Sequence, residues 1–141
     1  MTVLYQAPRP SLSLVTASQT LEPVVRVETD VAIYAGVLHN ERMCLCGMLA
    51  ADYATLPDPM KDGVTRFFEA NEQWLASLLE QGRVTNVLHF AGSALEMARL
   101  LVGALEGAML VARSFGDVSR FQAIADRLLA DLSVGDPQAA A

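Results

Sequence analysis

The segment HNERMCLCGM, residues 39–48, sets His39 close in sequence to Cys44 and Cys46, two thiols separated only by Leu45. Three chemistries could use such a set: zinc ligation, thiolate redox work, and hydrolysis by a Cys/His pair. In a helix, a two-residue step turns about 200° around the axis, so the two sulfurs would point to nearly opposite sides and could not share one zinc. His39 adds one further ligand at a spacing outside the usual zinc patterns, and the rest of the chain offers no second ligand cluster, so no metal is expected. A reactive thiol needs a stabilised thiolate, for which Arg42 beside a helix start supplies weak forms of a cation and a helix N-terminus. Packing is the favoured reading, because unpaired cysteine behaves as a small, polarizable hydrophobe. A cysteine-based redox sensor is the alternative.

The second histidine, His89, stands among Val87, Leu88 and Phe90 near the start of a long helical pattern and reads as half-buried, with no partner in view. There is no G-x-S-x-G, no phosphate-cradling glycine loop and no H-E-x-x-H. Neither an enzyme nor a cofactor is expected.

The elements that must hold these side chains are helical. Val27, Val31, Tyr34, Ala35 and Leu38 recur at helical spacing and predict a helix from Val24 to about Asn40. A second is expected over Glu41 to Thr55, ended by LPDP. Asp58 and Pro59 form a start signature for a third, whose stripe runs through Val64, Phe67, Phe68, Trp74, Leu75, Leu78 and Leu79 to Gly82 as C-cap. A long helix is predicted over Thr85 to Ser114, and Asp117 caps a last one carrying Phe121, Ile124, Ala125, Leu128 and Leu132. The fold class is all-α with about five helices. Residues 1–23 read as a loosely attached leader, 24–133 as one helical domain and 134–141 as a frayed tail.

Bulk composition narrows the function. A net charge of −6 with scattered basic residues provides no footprint for a phosphate backbone. The start has no basic signal region, and two cysteines this close make no disulfide framework, so the cytoplasm is expected. Hydrophobic residues are 52% of the chain, yet the longest apolar run, Leu100 to Ala112, is broken by Glu106, so no membrane span is expected. Surplus apolar surface points to a subunit interface or a ligand cavity. Phe67, Phe68, Trp74 and Met97 suit a cavity as well as a core. Gly103 and Gly107 form a G-x-x-x-G flanked by Ala104, Ala108 and Ala112, a face bare enough for close approach of another helix. With the helix that follows, it would make a self-complementary hairpin, two copies of which give an intersubunit four-helix bundle in a homodimer.

The stretch YAGVLHNERMCLCGMLAADYATLPDPMKDGVTRFFEANEQWLASLLEQGR, together with ALEMARLLVGALEGAMLVARSFGDVSRFQAIADRLLADL, resembles the C-terminal ligand-binding and dimerisation domain of TetR-type transcriptional regulators. The resemblance covers roughly Asp30 to Leu132. It implies an all-helical domain that encloses a small apolar effector and dimerises through its last two helices. Carried onto this sequence, the ligand would meet Cys46, Tyr53, Phe67, Trp74, Leu78, Phe90, Ala94 and Met97. The dimer face would use Leu101, Ala104, Leu105, Ala108, Phe121, Ile124, Ala125 and Leu128. Such regulators carry an N-terminal helix-turn-helix, and MTVLYQAPRPSLSLVTASQTLEP lacks its periodicity and basic recognition helix, so operator contact is carried over to no residue here. The expectation is a truncated or mis-started regulator, or a headless subunit that pairs with a full-length relative.

Overall fold

Apolar side chains at three- and four-residue steps wind residues 23–133, which the computed structural model describes, into five α-helices and one 3-10 turn. The helices are α1 (Pro23–His39), α2 (Leu45–Ala51), α3 (Asp58–Val84), α4 (Ala94–Phe115) and α5 (Ser119–Ser133), with the 3-10 turn at Tyr53–Thr55. No strand occurs among the described residues. The expectations for residues 1–22 and 134–141 lie outside them.

The two boundaries that differ most from expectation have local causes. Glu41 takes a positive φ of 55°, which ends the path of α1 and leaves α2 as a short helix starting only at Leu45. Between α3 and α4 the chain does not coil from Thr85: Asn86 and Gly92 have φ of 61° and 78°. Ser93 then closes a capping box with Glu96, the Ser93 hydroxyl accepting from the Glu96 amide at 3.2 Å while the Glu96 carboxylate accepts from the Ser93 amide at 2.7 Å. His89 therefore sits in a connection, its amide donating to the Leu132 carbonyl at 2.9 Å and tying that connection to α5.

Gly82 lies within the last turn of α3 instead of capping it, and Thr85 is the C-cap. A Cβ at Gly82 would run into the Leu88 side chain, so this glycine is where the returning connection packs onto the helix. Asp58 falls in the first turn of α3, where its charge suits the helix dipole, and Pro57 takes the cap position. Asp117 does cap α5, its carboxylate accepting from the Ser119 amide at 3.0 Å.

Helix α4 is the axis of the packing. Ala98, Leu101 and Val102 join Val27, Leu75, Leu78, Leu79, Leu88 and Leu132 in one cluster. Leu105, Ala108, Met109 and Ala112 join Val31, Leu38, Phe121 and Ala125 in the other. Both faces of the expected hairpin are consumed here: Leu101, Leu105, Ala108, Phe121 and Ala125 are buried inside the single chain, Leu128 is half-buried against both clusters, and Ala104 and Ile124 stay more open.

Candidate functional site

Glu106 interrupts the buried stripe of α4. Four residues after Val102 and three before Met109, it turns with them toward the interior and is only 9% exposed. Neither carboxylate oxygen has a hydrogen bond of standard geometry among the described residues. The Cys44 thiol faces the group, but a thiol is a weak donor. A buried charge without a donor is costly, and burial accordingly raises the Glu106 carboxyl above its ordinary range.

Three elements converge on this carboxyl. From α1 comes Tyr34, whose hydroxyl is raised by burial first and then by the charges of Asp30, four residues earlier on the same helix, and of Glu106; burial pushes the Asp30 carboxyl itself up to about 6. The turn before α2 brings Cys44, and the first turn of α2 brings Cys46 and Gly47. A Cβ at Gly47 would overlap the Glu106 carboxyl, so the glycine lets the α2 backbone approach that group without displacing it. Cys44 is the cap of α2, its sulfur accepting from the Gly47 amide at 3.5 Å. Because it precedes the helix, it is not disposed opposite Cys46 as a continuous helix would require. Both thiols sense Glu106.

The cluster sets one buried carboxyl among protonated thiols and a phenol. Burial, then the facing Glu106, pushes the Cys44 thiol up to about 12, so it stays protonated at neutral pH, the reverse of what a redox-active thiolate needs. Cys46 is raised for the same two reasons in the same order. The short α2 covers the cluster while burying none of its own residues.

The eight residues expected to line a ligand cavity do not share one. Leu78 is sealed in the first core cluster and Ala94 lies at its edge, with Phe90 and Met97 packed against it. Phe67 is half-buried and meets Phe68 edge to face at 5.3 Å. Trp74 is 40% exposed with the Arg26 guanidinium 6.0 Å above its ring, and Tyr53 is 42% exposed under Lys61 at 5.8 Å. Cys46 alone adjoins the Glu106 cluster. An open groove of about 710 Å³ between Pro23, Ala76, Glu80, Val84 and Leu95 includes Ala94. A recess of about 460 Å³ between Leu38, Arg42, Arg113 and Val118 includes none of the eight. The signal for Glu106 was its position: one charge in register with the buried stripe of an otherwise apolar run.

Opposite the core, α4 shows a second surface. Leu100, Leu110 and Val111 are 55%, 46% and 47% exposed, and Cβ atoms at Gly103 and Gly107 would meet nothing within 4 Å. Together with Ile124 of α5, these residues leave an outward stripe of small and apolar side chains.

No protein-family profile matches the chain, and no curated protein does. Among solved structures, a TetR-family transcriptional regulator from Agrobacterium tumefaciens superposes with a TM-score of 0.80 at 25% identity, over 85% of this chain and 65% of that one. The chain has the fold of TetR-family regulators. A regulatory protein TetR from Rhodobacter sphaeroides aligns with a TM-score of 0.72 at 18% identity, over 85% of this chain and 72% of that one. The chain thus spans under two thirds of the length of the Agrobacterium TetR-family structure. The all-helical architecture expected from the quoted stretches agrees with both.

Proposed function

We propose that this chain is the effector-binding and dimerising part of a TetR-like transcriptional regulator, working in the cytoplasm as a pair of identical chains. The supporting observation is the outward stripe on α4: Gly103 and Gly107 face open space on the side away from the core, flanked by exposed Leu100 and Val111. A surface with so little side-chain bulk suits close helix approach, and its exposed apolar residues gain from being covered. Two copies paired there, with α5 alongside, give the four-helix arrangement expected from the sequence. The dimer face is then Leu100, Gly103, Ala104, Gly107, Val111 and Ile124.

The effector site in this reading is the interior around Glu106, bounded by α1, the Cys44–Ala51 segment and α4. Of the lining expected from the sequence, Cys46 is retained. An effector that binds one arrangement of α1 against α4 better than another shifts the population of the paired chains, a coupling of about 1–3 kcal/mol in typical cases. Regulation of transcription is what the name of the Agrobacterium structural neighbour states of that protein. Contact with DNA is assigned to none of the described residues. Sedimentation equilibrium of the full chain at micromolar concentration tests the assembly: twice the 15.2 kDa chain mass is expected, and a stable monomer overturns the reading.

A further inference from the structure

We propose that the site around Glu106 selects a cationic ligand of the amine class, whose ammonium group docks on the Glu106 carboxylate beneath the cover formed by Cys44–Ala51. This rests on the effector-binding reading above and adds the chemical class of the effector.

Charge is out of balance around Glu106. Glu106 is nine-tenths buried, and among the described residues its oxygens have no hydrogen bond of standard geometry, with only the weak thiol donor of Cys44 facing them. Tyr34 of α1 feels the charge of Glu106 and that of Asp30, a half-buried carboxyl four residues before it. No basic side chain is paired with Glu106: Arg113 donates to the Glu41 carbonyl at 3.0 Å, Arg42 is exposed, and Arg26 lies over Trp74 with its Nε buried and without a hydrogen-bond partner among the described residues. No ion pair of the described residues includes Glu106 or Asp30.

Ligand classes differ sharply in such a place. An anion meets like charge. A neutral apolar molecule leaves the carboxylate unpaired and still costly. An ammonium supplies three donors and a compensating charge, and its hydrogen bonds to a carboxylate are about twice as strong as neutral ones. The rest of the ligand is apolar, because Leu105 and Met109, beside and one turn after Glu106 on α4, belong with Val31 of α1 to one buried apolar cluster. Entry is by displacement of α2, which buries none of its own residues and is thus a low-stability cover.

The test is titration calorimetry of the full chain at neutral pH with 4-phenylbutylamine, cyclohexylmethylamine and hexylamine, each paired with the alcohol of the same skeleton. The series is repeated on Glu106→Gln and Glu106→Asp, with thermal melts confirming that each variant is folded. At least one amine is expected to bind about tenfold more tightly than its alcohol, an advantage that Glu106→Gln removes and the charge-keeping Glu106→Asp retains in part. Amines that bind no better than their alcohols, or an advantage that survives Glu106→Gln, overturn the proposal. Equal binding of amines and alcohols would leave the effector-binding reading standing and sink only the charge assignment. Binding by no compound sinks the amine assignment, while the dimer is judged separately by sedimentation.

Discussion

Gly47 and Glu106 are fitted to each other: a Cβ at Gly47 would overlap the end of the Glu106 side chain, so any larger residue there requires that buried carboxyl to shift. The pairing makes the two positions energetically dependent. Gly47→Ala is expected to cost about 1–3 kcal/mol in urea unfolding, as overpacking against a buried group does. In a Glu106→Ala background the same change is expected to be close to neutral, since the colliding group is gone. Equal costs in both backgrounds would show that the two residues are not in contact.

Two glycines of α3 should respond in opposite directions to the same substitution. Gly63→Ala meets nothing within 4 Å and is expected to stabilise by about 0.5–1 kcal/mol through helix propensity. Gly82→Ala would drive its Cβ into Leu88, and the expected loss of about 1–3 kcal/mol outweighs the propensity gain. Thermal melts of the two variants check the sign of each.

Asp30 makes stability depend on pH in a defined direction. Its carboxyl is pushed by burial from 3.8 up to about 6. Between those values the folded chain holds a proton that the unfolded chain has released, so stability falls as pH rises through this window. The effect is at most about 3 kcal/mol and is reduced by the residual exposure of Asp30. Urea midpoints of the wild type and Asp30→Asn are expected to converge at about pH 4 and diverge above about pH 6, with the variant the more stable. Glu106 shifts in the same direction, so Asp30→Asn leaves part of the slope in place. Parallel pH profiles for the two proteins would contradict the burial of Asp30.

The thiols carry their own expectation. With Cys44 pushed up to about 12, its alkylation by iodoacetamide at mildly alkaline pH should be slower than that of a small free thiol by at least about tenfold. Unfolding in urea should remove the difference. Rapid modification of Cys44 in the folded chain would restore the redox reading that its environment disfavours.

Periodicity read the helices well and their partners poorly. The stripe Val64, Leu75, Leu78 and Leu79 marks the buried face of α3 in both sequence and structure. The long helix starts nine residues later than expected, at Ala94, because Leu88 and Ala91 keep helical spacing while the chain turns at Asn86 and Gly92. The Ser93 and Glu96 capping box was the sequence signal for that start. The expected dimer face overlaps the core for a related reason. Leu101, Leu105 and Phe121 are the most apolar positions of the last two helices, and the chain's own core claims them. What remains for a partner is the less conspicuous stripe of Gly103 and Gly107. The Glu106 cluster depends on contacts between α1, α2 and α4, which no local pattern encodes.

Disulfide trapping on the outward stripe tests the pairing of two chains most directly. In a Cys44→Ser, Cys46→Ser background, single cysteines at Leu100, Gly103, Gly107 and Val111 are oxidised and compared with one at Arg66, an exposed position on α3. Near a two-fold axis a residue lies close to its own copy, so a covalent dimer is expected from at least one stripe position and not from Arg66→Cys. Covalent dimers absent from every stripe position, or equally abundant from Arg66→Cys, would contradict the assembly proposed here.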